Sequence, residues 1–366
     1  MNVPPDVRAS AREFQFAGEF SQAEPYGSGH INDTYRVTCA AGGQPRRYIL
    51  QRINRHVFQD PVALMENLQR VTAHLAGKFA SHPDAGRRSL TLVPTRDGKT
   101  FYHDEAGNFW RVFNFIERAR TFDAAGSPAQ AFQAARAFGE FQKLLADLPA
   151  PRLHDTIPDF HHTHKKFAAL EKAVAADAGN RAALAKQEIE FALRHQAIAG
   201  ALLDANLPGR VTHNDTKINN VMLDDATGEA LCVVDLDTTM PGLALYDFGD
   251  LVRSAANPAR EDERDLAKVQ MRLPIFGALL RGYLSSAGGF LTPDERRLLP
   301  VSGQVIAFEL GLRFLADFLG GDKYFKARRE GQNLDRCRVQ FKLFESIRRQ
   351  EAAMEKLVEK AGRLAA

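Results

Sequence analysis

The order of strand and helix patterns in this 366-residue chain predicts an α+β fold with two lobes. Alternating apolar and polar residues dominate the first third of the sequence, which is typical of antiparallel strands. From about residue 125 the apolar spacing is helical, and strand patterns return only within residues 211–250. We therefore expect a small antiparallel-sheet lobe at residues 1–117 and a large, mostly helical lobe at residues 118–366.

The small lobe should begin with a hairpin and a helix. Residues 24–38 and 46–53 alternate on either side of the turn-rich string AAGGQP, which predicts two antiparallel strands. Asp60 followed by Pro61 predicts a capping residue and the first residue of a helix. Further strand patterns, LTLVPT, TFYHD and NFWRVFNFIE, follow this helix and end at Glu117.

Composition narrows the class of protein. The chain is 45% hydrophobic and 25% charged, and it has no run of about 18 apolar residues, so insertion into a membrane is not expected. A net charge of +3 is too small to indicate a nucleic-acid partner. The three cysteines lack metal-binding spacing and the N-terminal residues lack a secretory pattern, so we expect free thiols in a cytoplasmic protein. We expect a monomer or a weak homodimer.

Four histidines lie close together in the helical part, at His154, His161, His162 and His164. Histidines three residues apart on a helix can share a metal ion, but no spaced histidine or cysteine partner follows them. We therefore interpret this stretch as a polar surface segment.

Residues 211–250 contain more carboxylates than a loop and a hairpin need. Asp215 lies in a polar loop, and a strand pattern begins at Asn220. After the turn Ala226-Thr227-Gly228, an apolar strand ends at Asp235. Because the start of one hairpin strand lies opposite the end of the other, Asn220 and Asp235 should lie side by side.

Two such oxygen ligands suit Mg²⁺, which completes its coordination with phosphate and water. Asp215 can then accept the proton of an attacking hydroxyl group. Each residue alone could merely satisfy backbone groups of a loop, but the set predicts a phosphoryl-transfer site. Asp237 is a candidate group behind the metal, and Asp247 of the triplet Asp-Phe-Gly is expected to cap a helix.

The octapeptide HNDTKINN, residues 213–220, resembles the HxDxxxxN catalytic loop of the aminoglycoside phosphotransferase and choline kinase superfamily, and VDLD at 234–237 resembles its second metal motif. Together with GSGHINDTY and CVVDLDTTMPG, these strings resemble the N-acetylhexosamine 1-kinases. The resemblance implies a protein-kinase-like bilobal fold that uses ATP and Mg²⁺. It also implies phosphorylation of the anomeric hydroxyl of N-acetylglucosamine or N-acetylgalactosamine.

The nucleotide site should include a glycine-rich turn over the phosphates, formed by Gly27, Ser28 and Gly29. The third glycine of the kinase pattern is replaced by Asn32. Polar residues of the same string could instead contact the acceptor sugar: His30, Asn32 and Asp33.

A protein kinase would carry a lysine in the next strand, where this chain has Gln51 and Arg52. Neighbouring residues of a strand face opposite sides, so only one of the two can face the phosphates. We favour Arg52, with Glu66 of the following helix as its partner. Phe115 and Glu117 lie where a kinase hinge would bind adenine through backbone groups.

The acceptor is predicted to be neutral. Residues 323–342 contain seven Lys or Arg against two acids, which disfavours a polycationic aminoglycoside. The only tryptophan, Trp110, lies in the small lobe, which disfavours an aromatic cage for choline. The predicted sugar contacts are Thr238, Arg313 and Tyr324. Two alternatives are a kinase for another alcohol, amino alcohol or sugar, and a catalytically silent nucleotide-binding protein.

Overall fold

The computed structural model describes residues 4–27 and 31–364, and these form two compact units. The first unit runs to Ala119 and also takes in Asp147–Pro158 and Leu231–Met240. The second comprises Arg120–Ala146, Asp159–Ala230 and the chain from Pro241 onward. Antiparallel strands dominate the first unit and helices the second, so the predicted α+β class is confirmed. A domain boundary after residue 117 stays a prediction.

Within the described residues, the main sheet of the first unit has the order β1-β2-β3-β6-β4, with β5 also paired to β6. Its strands are β1 (Glu19–Pro25), β2 (Asp33–Ala41), β3 (Gln44–Arg52), β4 (Leu92–Val93), β5 (Tyr102–His103) and β6 (Phe109–Asn114).

The segment 24–38 does not form one strand as the alternation predicted. It is divided between β1 and β2, and Gly27 has a positive φ of 82°, a conformation that glycine adopts without steric cost. The predicted β2–β3 hairpin is confirmed. Ala41 pairs with Gln44, and Gly42 and Gly43 between them have φ values of 54° and 88°. Positive φ at both central residues is the requirement of a tight type I′ hairpin turn.

One face of this sheet is apolar. Trp110 of β6 and Leu50 of β3 are fully buried there, together with Val7 and Ala11 of helix α1 (Pro5–Ala11) and other residues of the same core. Helix α2 (Pro61–Phe79) follows the sheet's third strand, and the Asp60 side chain accepts hydrogen bonds from Val62 N and Ala63 N. The predicted cap is therefore confirmed. A short helix, α3 (Ala85–Arg88), follows it.

The second unit contains most of the remaining helices. They are α4 (Pro128–Leu145), α5 (Thr163–Ala176), α6 (Lys186–Arg194), α7 (Ala244–Ala255), α8 (Leu273–Ala287), α9 (Pro293–Arg297), α10 (Leu299–Leu319), α11 (Gln332–Arg349) and α12 (Glu351–Leu364). Ser127 caps α4 through Gln130 N. One described helix, α10, is long and apolar enough to cross a membrane by composition, and 78% of its apolar window is buried inside the protein. Helices α5, α7 and α11 pack against it.

Short strands frame the carboxylate-rich segment. They are β7 (Ala119–Arg120), β8 (Gly209–Thr212), β9 (Val221–Asp224), β10 (Ala230–Val233) and β11 (Met240–Leu243). They form a sheet in the order β10-β9-β7 and a β11-β8 pair. The strand β8 was not predicted from the sequence. The expected β9–β10 hairpin is present, with the Gly228 N–H donating to the Asp224 carbonyl at its turn.

The three cysteines, Cys39, Cys232 and Cys337, are free thiols, as expected, and all are buried. Burial raises the pKa of Cys39 to about 11 and that of Cys232 to about 12, so both stay protonated at neutral pH.

Candidate active site

The loop between β8 and β9 brings Asp215 and Asn220 together. A 3-10 turn, Ile218–Asn220, folds the chain back so that Asn220 Nδ2 donates to the Asp215 carbonyl at 2.8 Å and to Asp215 Oδ2 at 3.2 Å. Lys217 Nζ lies 2.9 Å from Asp215 Oδ1. A carboxylate, an ammonium group and an amide therefore share one spot at the end of a strand.

The electrostatics of this loop keep Asp215 ionised. Burial alone would raise the pKa of the Asp215 carboxyl, but the positive charge and hydrogen bond of Lys217 outweigh burial and lower the pKa below its usual value. Burial would likewise lower the pKa of Lys217, and the negative charges of Asp215 and Asp250 raise it instead. Asp215 is thus a hydrogen-bond acceptor at neutral pH. Lys217 is a functional candidate that our interpretation of the sequence missed, although it stands two residues after Asp215.

Asp247 holds the backbone of this loop. Its buried carboxylate accepts hydrogen bonds from His213 N at 3.0 Å, Asn214 N at 2.7 Å and Gln142 Nε2 at 2.6 Å. The prediction that Asp247 caps a helix is wrong. Helix α7 begins at Ala244, and Asp247 lies within its first turn with its side chain turned inward. A buried carboxylate requires donors, and the backbone N–H groups of the loop supply them.

In the first unit, Asp235 and Asp237 follow β10. Asp235 is exposed and has a left-handed backbone, with φ 59° and ψ 55°. Asp237 is buried, and both its oxygens bind Arg111, Oδ1 to Nη1 at 2.5 Å and Oδ2 to Nη2 at 2.8 Å. Thr238 and Thr239, the next residues, are also buried, and Asn67 Nδ2 of α2 donates to the Thr239 carbonyl at 3.3 Å. The Asp237 side chain therefore fixes the segment that begins with Asp235.

Arg111 is the residue of this network that the sequence analysis missed. It is 1% exposed, and its Nε and Nη2 also donate to Gln51 Oε1 at 3.0 and 2.8 Å. In the sheet register Gln51 pairs with Arg111, whereas Arg52 pairs with Trp110, so the two neighbours face opposite sides. The sequence does contain a signal that could have identified Arg111, because it is a charged residue in the middle of the apolar string FWRVF.

Arg52 has other partners than we expected. It lies over the Trp110 ring and bonds Asp33 Oδ2 at 2.6 Å and Asp6 Oδ2 at 3.3 Å. Glu66 binds His154 Nε2 at 2.8 Å. The predicted Arg52–Glu66 pair is therefore wrong, because Arg52 lies on the sheet face that α1 covers.

The glycine-rich turn lies partly outside the described residues, which exclude Ser28, Gly29 and His30. A Cβ added at Gly27 would meet no atom of the described residues within 4 Å. Asn32, just beyond the turn, uses both ends of its amide. Its Nδ2 donates to Asp237 Oδ2 at 2.6 Å, and its Oδ1 accepts from Asn54 N at 3.0 Å. The side chain of Asn32 is therefore bound to the protein's own groups, as is that of Asp33.

Phe115 and Glu117, the residues predicted to lie at the hinge, are held in place by two arginines. The Arg47 guanidinium lies 4.6 Å from the centre of the Phe115 ring and forms an ion pair with Glu117. Arg87 of α3 donates to the carbonyls of Glu117 at 3.1 Å and of Arg118 at 3.0 Å. The backbone after β6 is thus fixed by two arginines.

Arg313 and Tyr324 come together in the second unit. The Arg313 guanidinium on α10 lies 5.1, 5.8 and 5.4 Å from the centres of the Phe160, Tyr324 and Phe325 rings. Burial and the nearby charge of Arg313 lower the pKa of Lys166. Tyr324 is 51% exposed. Arg313 and these three rings form a wall that combines aromatic side chains with positive charge.

The basic stretch at residues 323–342 is less positive than the sequence suggests. Acids from distant segments pair with it, because Arg336 binds Glu261 at 3.2 Å and Arg338 binds Glu188 at 2.7 Å. The histidine segment is also not simply a polar surface. His161 is buried between Glu309 and the Asn214 carbonyl, whereas His154 and His164 are about half exposed.

Comparison with known proteins now decides the family. A model of the phosphotransferase enzyme family APH matches residues 22–283, more than two-thirds of the chain. The chain belongs to this phosphotransferase family. Its fold is the protein-kinase-like bilobal fold that the resemblance implied, as the solved structures of similar shape also indicate.

Three of these structures illustrate the likeness. An aminoglycoside phosphotransferase from Alicyclobacillus acidocaldarius has a TM-score of 0.61 at 13% identity, over 98% of both chains. A microcompartment-associated aminopropanol kinase has a TM-score of 0.59 at 16% identity, over 96% of this chain and 98% of that one. A spectinomycin phosphotransferase in complex with ADP and spectinomycin has a TM-score of 0.52 at 12% identity, over 93% and 95%.

Proposed function

We propose that this phosphotransferase uses ATP and Mg²⁺ to phosphorylate the anomeric hydroxyl of an N-acetylhexosamine. The observation that carries the proposal is the position of the Asp215 carboxyl group, which is paired with Lys217 and lies beside Asn220. An ionised carboxylate there can accept the proton of a hydroxyl group, and a neighbouring ammonium can face the phosphoryl group that is transferred.

In the proposed reaction, the acceptor hydroxyl donates a hydrogen bond to Asp215. Its oxygen forms a bond to the γ-phosphorus of ATP while the bond from that phosphorus to the bridging oxygen breaks. ADP leaves, and the hydroxyl proton passes to Asp215. Lys217 offsets part of the negative charge that the phosphate oxygens bring, and Asp247 keeps the loop from moving as the charges shift.

The residues present fit a hard cation. Asn220 uses its Nδ2 toward Asp215, which leaves Oδ1 as the oxygen for a metal ligand, and Asp235 is an exposed residue whose carboxylate is the type of ligand that a hard cation prefers. We propose that Asn220 and Asp235 hold Mg²⁺. When bound, the ion would neutralise charge on the ATP phosphates. Asp247 is not proposed as a ligand, because both of its oxygens accept hydrogen bonds within the protein.

For ATP we propose the turn at Gly27, Ser28 and Gly29 over the phosphates and the backbone near Phe115 and Glu117 around adenine. The similar spectinomycin phosphotransferase was solved with ADP, which supports a nucleotide as the phosphate donor. Arg52 is a weaker candidate for the phosphates and Glu66 a weaker candidate for its partner, because each is bound to another residue. Lys217 supplies a positive charge in place of Arg52.

The residues around Arg313 support the proposed acceptor class. The guanidinium would repel an ammonium group, whereas hydroxyl and carbonyl oxygens of a neutral sugar can accept hydrogen bonds from it. Aromatic rings such as Tyr324 suit the apolar face of a sugar. We propose Arg313, Tyr324 and Thr238 as acceptor contacts, with His30, Asn32 and Asp33 as weaker ones. Two of the similar structures are named for amino compounds, aminopropanol and aminoglycosides, so the charge of the acceptor is the feature to test.

A panel of acceptors, followed by ADP release, tests this function. It should contain N-acetylglucosamine, N-acetylgalactosamine, glucose, aminopropanol, choline and an aminoglycoside. We expect the N-acetylhexosamines to give the highest kcat/KM and the product to lose its reducing end. Preference for an amino alcohol or aminoglycoside would refute the proposed acceptor, and ATP binding without any transfer would refute the activity.

Asp215→Asn should lower kcat by about 10²- to 10⁴-fold, the usual contribution of a general base. Asp225→Asn is the matched control, because Asp225 lies at the turn of the following hairpin and pairs with the exposed Arg120. This control should keep the activity of the unchanged protein. Near-full turnover by Asp215→Asn would show that Asp215 is not the base.

A further inference from the structure

His161 is a buried histidine with two charged or polar partners. Its Nδ1 lies 3.1 Å from Glu309 Oε1 and 3.3 Å from Oε2, and its Nε2 lies 2.9 Å from the carbonyl oxygen of Asn214. Thr163 Oγ1 donates to Glu309 Oε2 at 3.2 Å. The rings of Phe160 and Tyr246 pack against the imidazole at 4.6 and 4.8 Å between centres. All of these residues belong to the second unit.

Both ring nitrogens of His161 face acceptors, a carboxylate and a carbonyl, and both must donate to satisfy them, as only an imidazolium can. Burial lowers the pKa of His161, but the charge and hydrogen bond of Glu309 and the Asn214 carbonyl outweigh burial, so the pKa is raised. For Glu309, burial raises the pKa, and the charge of His161 lowers it below its usual value. The two residues therefore form a buried ion pair.

Other charged or titratable groups act on this pair. Asp250 raises the pKa of His161, and Arg313 and Lys166 lower that of Glu309. Tyr246 stays protonated, since burial raises its pKa out of the physiological range. The net effect favours the charged forms of His161 and Glu309.

The carbonyl that His161 binds belongs to the peptide bond that precedes Asp215. Because a peptide unit is planar, a hydrogen bond to the Asn214 carbonyl also fixes the N–H and the Cα of Asp215. Asn214 has a φ of 65°, in the left-handed region that asparagine adopts more readily than most residues other than glycine. Asp247 binds the N–H of Asn214 and His161 binds its carbonyl, so this residue is held at both ends.

Glu309 connects this support to the proposed acceptor wall. Glu309 and Arg313 are four residues apart on α10 and hence lie on one face of the helix. We propose that His161 and Glu309 form a positioning pair that holds Asp215 at a fixed place relative to Arg313. This inference rests on the proposed roles of Asp215 and Arg313. His161 itself touches no reacting atom, so it is a positioning residue.

Four variants test the pair: His161→Phe, Glu309→Leu, Glu309→Gln and the control His164→Gln. His164 lies three residues away, is about half exposed and pairs with the exposed Asp204. A displacement of a catalytic group by about 1 Å can cost about 10²-fold in rate. We expect His161→Phe and Glu309→Leu to lower kcat about 100-fold with N-acetylglucosamine, with the KM for ATP within about threefold of the control.

Glu309→Gln separates positioning from loss of packing. Its amide can donate to Nδ1 of a neutral His161, whose Nε2–H still reaches the Asn214 carbonyl. We therefore expect Glu309→Gln to keep kcat within about tenfold of the control, well above Glu309→Leu. If both Glu309 variants lost kcat equally, or if folded His161→Phe kept the kcat of the control, the positioning pair would be refuted.

Hydrogen–deuterium exchange at residues 212–216 gives a readout that needs no acceptor. Exchange should be faster in His161→Phe and Glu309→Leu than in His164→Gln and Glu309→Gln. Unchanged exchange in folded His161→Phe would also refute the pair. Asp215→Asn, measured alongside, keeps the two proposals apart. If it retained turnover, the proposed base would be wrong, while faster exchange in His161→Phe would still support the hydrogen bond that positions the loop.

Discussion

Breaking the Arg111–Asp237 ion pair should destabilise the strand-rich unit more than any surface ion pair of that unit. The side chains of the two residues are 2% and 3% exposed, and two hydrogen bonds of 2.5 and 2.8 Å join them. Arg111→Met removes both bonds and the two that Gln51 accepts. Asp237→Leu removes the same pair from the other side and also removes the acceptor of the Asn32 Nδ2 hydrogen bond.

The size of the destabilisation follows from the buried charge that remains when either Arg111 or Asp237 is replaced. Removing one partner of a buried pair leaves an uncompensated charge away from water, which costs about 3–5 kcal/mol. The double variant Arg111→Met/Asp237→Leu removes both charges and should recover most of that cost. The two single changes should therefore be far from additive.

Urea unfolding followed by fluorescence is a direct assay, because Trp110 is the chain's only tryptophan and is fully buried next to Arg111. The control is Arg52→Met. Arg52 lies in β3, but its side chain is 33% exposed and pairs with half-exposed acids, so its loss should cost about 0–1 kcal/mol. A cost below about 1 kcal/mol for Arg111→Met, or additive single changes, would refute the reasoning.

Three further outcomes are expected. Asp247→Asn leaves one acceptor oxygen where two backbone N–H groups need partners. Urea unfolding should therefore show that the free energy of unfolding falls by about 1.5–3 kcal/mol or more. The rate of ADP release should also fall sharply, because the backbone of the loop that carries Asp215 loses a hydrogen bond. By the same assay, Gly249→Ala should lower the free energy of unfolding by about 1–3 kcal/mol, since its Cβ would lie 2.5 Å from the Ser302 carbonyl oxygen. The control Gly77→Ala has open space for its Cβ and should raise the free energy of unfolding by about 0.5–1 kcal/mol. Equal effects of the two changes would contradict the packing argument. Burial raises the pKa of Glu295, but the hydrogen bond and charge of Arg210 outweigh it, so the pKa is lowered. The stability gap between the unchanged protein and Glu295→Gln should therefore be full above the usual carboxyl pKa and should shrink as pH falls through the lowered value; a gap independent of pH would contradict this.

Local signals were sufficient for much of the fold. Asp60 before Pro61 predicted the start of α2, and the glycine pair between residues 41 and 44 predicted the first hairpin, because caps and tight turns depend on neighbouring residues. The loop from Asp215 to Asn220 is also local, and within it Asn220 Nδ2 donates to Asp215 Oδ2. The alternation at 24–38 misled us, since a turn with positive φ at Gly27 interrupts it.

Partners far apart in sequence leave no comparable signal. Arg111 and Asp237 are 126 positions apart, and His161 and Glu309 are 148 apart. Their pairing depends on how separate strands and helices pack, which a single sequence does not contain. For the same reason Arg52 and Gln51 could not be told apart, because the sheet register that separates them involves β6.

The triplet Asp-Phe-Gly shows how far a short string can depart from the task it suggests. Each of its residues has a packing or positioning reason. Asp247 binds N–H groups of the loop that carries Asp215, Phe248 packs against Phe276 and Tyr283, and Gly249 allows α7 to approach α10 at Ser302. A carboxylate whose oxygens both accept buried hydrogen bonds has little capacity left for a cation. For this reason we propose Asp235, an exposed residue just beyond β10, rather than Asp247 for the metal role.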